Sequence, residues 1–393
     1  METTFNIKRS LKRRVGLCCD KAVQIGLNPR IFGHRYQQRE SLREHIERKQ
    51  LDVPENGRVR VVHRSKVASN PLPLNIPDRE ALPKDRGWWG YSFWDVPKRE
   101  SGETIVAPLP NCRVVPSRND IGEFWATILT EDDRALELRE LSFRSWQAPF
   151  IRTLEAVRLK RATWVVERVY DNYSHWLTAH LPKLLMLREE GLDSEVILPA
   201  TLAPAVEASL RLFGMPPENY KRFDTRKSLQ VEELTVVSSD RFHPELLKLV
   251  ARHCPVPFAG NPKRRVFISR TGATRRRLLN EDELWPHLEK AGFERVRMEM
   301  LDFGEQVKLM RETAVLVAPH GAGLTNMMFC PRGTHIVELA DLSFPNPNFY
   351  AVASALRLNY WLLRAEGRGD VHPLEKDLWM DPRILQDILN QIP

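Results

Sequence analysis

The chain has 393 residues, 42% hydrophobic and 28% charged, with 19 Gly and 28 Pro. That is enough for two or three domains with their own cores, and it excludes collagen-like, low-complexity and wholly disordered chains. The net charge of +8 sits at one end: residues 1–70 hold 16 Lys and Arg against 7 Asp and Glu, so the remainder is close to neutral.

A basic end suits nucleic acid, an anionic membrane surface or an acidic polymer, or is a solvated tail. The five cysteines, Cys18, Cys19, Cys112, Cys254 and Cys330, are odd in number and show no metal-ligand spacing, which predicts reduced thiols and a cytoplasmic protein. The apolar stretch after Arg14 is broken by Asp20 and Lys21, too soon for a signal-peptide core, and no run of about 18 apolar residues predicts a membrane span.

Along the chain, Pro71, Pro73, Pro77 and Pro83 mark an extended linker. Beyond it, Trp88, Trp89, Tyr91, Phe93 and Trp94 crowd together, read as rings buried in a core in preference to a sugar-stacking platform. Short β-rich runs then alternate with helical periodicity. Strands are predicted at 163–169, 194–199 and 231–238, with a helix at 203–213. A second series follows the turn cluster of 255–263: strands at 264–270, 293–299, 314–319, 334–339 and 358–363, and helices at 280–290, 304–312 and near 347–357. This alternation predicts an α/β protein with two Rossmann-type parallel-sheet domains. The expected division is a basic extension and linker (1–85), a first Rossmann-like domain (86–245) and a second (246–393).

Three segments have the residue types of a reactive site. In 169–187, Leu177, Leu181, Leu184 and Leu185 recur at helical spacing, Ser174 is a candidate N-cap, and Pro182 kinks that helix or begins another. His175 falls in its first turn, where an imidazole can take a proton from a hydroxyl or be held by packing. In 269–284, Arg270 leaves the carboxyl end of a strand, and Arg276 or Arg277 precedes an acidic helix start; guanidinium suits bidentate phosphate contact, while three consecutive arginines suit a solvated face. In 315–339, a buried strand runs into Pro319, His320, Gly321, Ala322 and Gly323, and a helix is predicted from Leu324 or Thr325. Small residues and unpaired N–H groups at a helix start attract a diphosphate. His320 and Asn326 flank the turn, and Glu338, at the end of the next strand, is placed to bind ribose hydroxyls. Asn326 stands where a third glycine would complete a dinucleotide fingerprint, and no Lys-Ser/Thr follows as in a Walker loop. No Asp-x-Asp, His/Cys metal spacing or Gly-x-Ser-x-Gly elbow occurs.

Asn172-Tyr173-Ser174-His175-Trp176-Leu177, Leu181-Pro182, Ser269-Arg270, Asn280-Glu281, Phe303 with Glu305-Gln306, and the run Pro319 to Asn326 together resemble the glycosyltransferase 61 family over about residues 160–345. That family includes bacterial capsular polysaccharide biosynthesis proteins, plant xylosyltransferases and eukaryotic N-acetylglucosaminyltransferases. The resemblance implies a GT-B-like architecture of two domains facing a cleft. It implies a nucleotide-sugar donor in the C-terminal half and transfer with inversion to an acceptor hydroxyl; the donor is expected to be UDP-linked, the acceptor a glycan or lipid-linked glycan, and the site, lacking Asp-x-Asp, metal-independent. Carried over, His175 is the base with Asp171 in reserve. Arg270, His320, Gly321, Ala322, Gly323, Thr325 and Asn326 meet the donor, Glu338 its ribose, and Glu305 holds the sugar or orients the site. Bacterial members often have an acidic residue two positions after His-Trp-Leu; here it is Ala179, and His175, Asp171 or His180 takes its place.

The expected function is an inverting glycosyltransferase of bacterial surface polysaccharide synthesis that uses no cofactor and acts in the cytoplasm. The basic end would touch the anionic inner membrane face. A non-catalytic carbohydrate- or nucleotide-binding protein is the alternative; no nucleic-acid-binding signature is present.

Overall fold

The computed structural model describes residues 38–51, 58–87, 89–258 and 260–393, together with Cys18. Most of the basic extension, and Trp88, lie outside the described residues. The chain forms two compact units that do not follow one another in sequence. The first takes the described residues up to Arg64, Gly102–Ala203 and Pro216–Arg241; the second takes Ser65–Ser101, Pro204–Met215 and Phe242–Pro393. The units divide after Arg64, Ser101, Ala203, Met215 and Arg241, and the Pro-rich stretch belongs to the second unit.

The first unit holds a mixed sheet of β1 (Arg39–Ser41), β2 (Arg60–His63), β3 (Thr104–Arg118), β4 (Phe124–Leu129), β5 (Ala135–Glu137), β6 (Ala156–Trp164) and β7 (Ser228–Ser238). Its order is β1-β5-β4-β3-β7-β6, with β2 also paired to β3. Only β1–β5 and β7–β6 run parallel among the described strand pairs of this sheet. The expected all-parallel, Rossmann-type sheet is therefore corrected here to a mixed one, because the long β3 runs antiparallel to both flanking strands. Helix α1 (Leu42–Lys49) opens on a capping box of Ser41 and Glu44. Helix α2 (Leu181–Glu189) buries residues 181–187 throughout. The strand expected at 163–169 ends at Trp164 and starts earlier, at Ala156.

The second unit contains β8 (Arg264–Ile268), β9 (Phe293–Val296), β10 (Thr313–Pro319), β11 (His335–Asp341), β12 (Asn359–Arg368) and β13 (Asp377–Trp379), in the order β9-β8-β10-β11-β12-β13. All neighbours are parallel except β13, which closes antiparallel on β12. This unit is the Rossmann-like sheet that alternating strands and helices predict. Its helices are α3 (Pro204–Leu212), α4 (Pro244–His253), α5 (Glu281–Lys290), α6 (Phe303–Arg311), α7 (Asn348–Leu356) and α8 (Pro382–Leu389).

Alternation along the strands sends Phe267, Val315, Val317, Val337, Leu339, Trp361 and Leu363 into one core with Leu284 and Leu288 of α5 and Leu385 and Ile388 of α8. Val266, Leu316 and Ile336, pointing the other way, are equally buried, so the sheet is covered on both faces.

Residues 65–101 lie against this sheet. Leu74 N–H donates to the Tyr360 carbonyl at 2.8 Å, and Asn75 exchanges two hydrogen bonds with the backbone of Leu362. Phe93 is fully buried and stacks on Tyr350, and Tyr91 donates to Asn348 at 2.7 Å. Tyr91 and Phe93 are core, as the packing reading expects, while Trp89 and Trp94 are half-buried. No helix among the described residues is long and apolar enough to cross a membrane. Cys18, Cys112, Cys254 and Cys330 are free thiols.

Candidate active site

In the second unit, the strand order places the switch of chain direction between β8 and β10, the first and third strands of the series. Open α/β sheets bind ligands outside the carboxyl ends of the strands at that point. Arg270 follows the end of β8, and His320 and Gly321 follow the end of β10. Arg270 is half-buried. Its Nε donates to the carbonyl of Arg276 and its Nη2 to that of Arg275, both at 2.8 Å. So anchored, the guanidinium lies over the turn: a Cβ on Gly321 would stand 2.3 Å from Arg270 Nη1 and 2.8 Å from Cζ. Gly321 has φ 173°, an extended backbone that any residue adopts, so its glycine is needed for close approach of Arg270.

The three consecutive arginines separate. Arg275 pairs with Glu375 at 2.5 Å and Arg277 with Asp377 at 2.6 Å, both on the surface. Arg276 has φ +55°, is half-buried, and its buried Nε has no hydrogen-bond partner among the described residues. Burial, with the charges of Arg270 and Arg275, pushes its guanidinium down to about 10. It therefore stays charged at neutral pH, and a nearby anion would offset its desolvation.

After Gly321 the chain forms a 3₁₀ helix, Ala322–Phe329, where an α-helix starting at Leu324 or Thr325 is expected. Gly321 has no side chain to cap it, so the leading N–H groups of the turn are left without a capping side chain. Thr325 and Asn326, expected to touch the donor, are instead fully buried. Asn326 Nδ2 donates to the carbonyl of Gly323 and to Gln306 Oε1, while Gln306 Nε2 donates to the carbonyls of Met298 and Leu301. Of the Glu305–Gln306 pair it is Gln306 that reaches the turn. Glu305 is exposed and closes a capping box with Asp302 at the start of α6, a structural use of the carboxylate expected to hold the sugar.

His320 is buried under the turn. Its Nδ1 meets Glu338 Oε1, Asn346 Nδ2 donates to its Nε2 at 3.2 Å, and the Phe349 ring packs edge-on at 4.9 Å. Glu338 is fully buried in the middle of β11, and its second oxygen accepts from the Tyr360 hydroxyl. Burial and the Glu338 charge hold that hydroxyl well above the ordinary tyrosine range, hence protonated. The expectation that Glu338 ends its strand and binds ribose is corrected: both oxygens are occupied inside the sheet, and Glu338 reaches the site by orienting His320. Nothing in residue spacing marks Tyr360 or Asn346 as its companions.

In the first unit, the segment around His175 is built differently. Val169 has φ +52°, a strained conformation for a β-branched residue. The helix starts two residues before the expected cap: Asn172 Oδ1 accepts from the N–H groups of Ser174 and His175. Trp176–His180 then forms a π-helix, closed by Leu181 N–H donating to the Trp176 carbonyl. Pro182, in the first turn of α2, lacks the N–H that would continue the α-helical ladder; the wider turn absorbs this and lets a second helix begin.

His175 is half-buried. Burial, then the positive charges of Arg241 and Arg168, hold its imidazole well below the usual histidine range, so it is a neutral proton acceptor at pH 7. Asp171 is exposed and lies 3.7 Å from Arg118. His180 is fully buried: its Nε2 accepts from the N–H of Glu167 at 2.9 Å, its Nδ1 donates to the carbonyl of His175 at 3.1 Å, and its ring stacks on Trp176. Burial pushes it down to about 3. With both nitrogens bound to backbone it holds the π-helix and is no substitute base. Ala179 is buried within the same turn. Beneath it, the buried Lys183 and Glu167 form an ion pair that sequence reading did not single out.

Residues 173–337 match the family model described as Glycosyltransferase 61. A stretch of 74 residues is 43% identical to the EGF domain-specific O-linked N-acetylglucosamine transferase of Drosophila melanogaster, covering 18% of this chain and 14% of that protein. Another of 102 residues is 28% identical to the Beta-1,2-xylosyltransferase of Arabidopsis thaliana, covering 23% of this chain and 19% of that one. The chain thus spans less than a fifth of the length of either relative.

Proposed function

We propose that this protein, whose residues 173–337 match the Glycosyltransferase 61 family model, is an inverting glycosyltransferase that moves a sugar from a nucleotide-sugar, UDP-linked, to a hydroxyl of a glycan. The observation that carries the reading is the convergence of Arg270, Arg276 and the uncapped turn at Gly321 on the ligand edge of a Rossmann-like sheet. A leaving diphosphate gains negative charge as the glycosidic bond breaks. Two guanidinium groups and backbone N–H groups held in place stabilise that charge without reorganisation. Glu338 and Tyr360 fix the His320 ring, as a buried carboxylate does for any imidazole that must keep one orientation.

We assign the base to His175. Direct displacement with inversion requires one group to take the acceptor's proton, and a neutral imidazole does so at pH 7. Arg168 and Arg241 add positive potential around that ring, which favours the alkoxide character of the attacking oxygen. The charge neutralisation is assigned to the arginines and the turn. A bacterial surface polysaccharide as acceptor and a cytoplasmic, membrane-peripheral location belong to the same proposal. They draw on the resemblance and the basic N-terminal sequence. Ala179, where an acidic residue often stands, favours a second reading as a binding protein without turnover.

The test is thermal denaturation with UDP, GDP and CMP. The expected result is stabilisation of several degrees by a nucleoside diphosphate at millimolar concentration, lost in Arg276→Ala. No shift with any of the three nucleotides removes the donor-site assignment.

A further inference from the structure

The first unit carries a cavity of about 340 Å³ that shares no lining residue with the His175 segment. Its floor is one face of the mixed sheet, crossing four strands: Arg60 lies opposite Val106, Pro108 opposite Thr235, Thr235 opposite Thr163 and Glu233 opposite Arg161. The loop at Gly191–Glu195, after α2, forms a wall. Volumes of this order accommodate a small ligand.

The lining is polar and biased toward donors. Arg58 Nη2 donates to Glu233 at 2.5 Å, and Glu195 is held by Lys221 at 2.7 Å, so both carboxylates are already engaged. Arg60 and Arg161 are paired more loosely. Arg161 Nε is 3.5 Å from Glu233 and Arg60 Nη1 is 3.8 Å from Glu190, and neither guanidinium donates a hydrogen bond among the described residues. Thr163, only 3% exposed, lines the cavity. Two loosely paired guanidinium groups beside threonine hydroxyls match a ring that bears hydroxyls and an oxyanion.

We propose that this cavity is a carbohydrate-binding site for an acidic sugar unit, its carboxylate or sulfate held by Arg60 and Arg161 and its hydroxyls by Thr163, Thr235 and Glu233. The proposal does not rest on sugar transfer, because binding is read with no donor present.

The experiment is isothermal titration of the full chain with three hexasaccharides: one of alternating glucuronate and N-acetylglucosamine, its sulfated counterpart, and a neutral one of N-acetylglucosamine. Binding of one or both acidic probes, with the neutral probe at least about tenfold weaker, is expected. Arg60→Ala and Arg161→Ala should each weaken it about tenfold or more, the loss typical of one charge-assisted contact. Thr163→Val should weaken it severalfold with an unchanged melting temperature. The two acidic probes distinguish carboxylate from sulfate as the recognised group.

Arg158→Ala supplies the control. It lies on the same strand three residues from Arg161, hence on the opposite face, and should leave affinity unchanged. Equal losses in Arg158→Ala and Arg161→Ala would reduce the effect to net charge and overturn the site. So would equal binding of the neutral probe, no binding of either acidic probe at millimolar concentration, or competition by inorganic phosphate as strong as by the hexasaccharide itself.

Discussion

Substituting Gly321 by Ala isolates the contact on which the donor-site assignment depends. Because φ at Gly321 is 173°, alanine meets no backbone penalty there, and the whole effect falls on Arg270. The new Cβ would stand 2.3 Å from Nη1 and 2.8 Å from Cζ. Ordinary contact begins near 3.4 Å, so the guanidinium must retreat by about 1 Å. Its hydrogen bonds to the carbonyls of Arg275 and Arg276, both 2.8 Å, cannot both survive such a shift. One hydrogen bond to a charged group is worth about 1.5–3 kcal/mol, which corresponds to a loss of about tenfold to a hundredfold in nucleoside diphosphate affinity if that geometry serves the ligand. Titration calorimetry on wild type, Gly321→Ala, Arg270→Ala and the double variant reads this as a cycle. The expected outcome is a large loss in Gly321→Ala and almost none when the same change is made on Arg270→Ala. Equal losses in both backgrounds would refute the reasoning, since the glycine would then act without Arg270.

Three further outcomes follow from the same geometry. Arg276→Ala removes a half-buried cation whose Nε is unpaired, so it should raise or leave unchanged the melting temperature of the free protein while weakening diphosphate binding at least about tenfold. Lys183→Met strands Glu167 in the interior and should destabilise by about 3–5 kcal/mol in urea titrations, with Lys183→Met/Glu167→Gln recovering much of the loss. His175 is held well below the usual histidine range by burial and neighbouring cations. Its basic form therefore persists as pH falls through 6.5, and kcat/KM for transfer should lose its acidic limb only at lower pH; a limb centred near 6.5 would remove His175 from the base role.

The second unit was legible because its central strands, 314–319 and 334–339, are short apolar runs and helical periods alternate with its strands. The first unit was not. Its longest strand, Thr104–Arg118, contains Pro108, Pro110 and Pro116, residues that argue against a paired strand when read alone, and its antiparallel pairing is invisible to a reading that counts alternation. The π-helix over Trp176–His180 could have been suspected from Pro182 placed inside a leucine-spaced helix. The separation of Arg275, Arg276 and Arg277 depends on Glu375 and Asp377, a hundred residues away, and no local pattern encodes it. The same holds for Glu338: its position after the turn suggested a ribose contact, and only the packing of β11 between its neighbours shows that His320 and Tyr360 occupy it.

The central claim is that this chain transfers sugar with His175 as the base and the Arg270–Gly321 turn holding the donor. Nucleotide release from a panel of UDP-, GDP- and CMP-sugars, in the presence of a mixed glycan acceptor pool, tests it most directly when wild type is compared with His175→Ala. The account predicts release by wild type from at least one donor, and in His175→Ala a loss of release with nucleoside diphosphate affinity unchanged. Undiminished release by His175→Ala, or no release from any donor by wild type that binds the nucleotide, would contradict it.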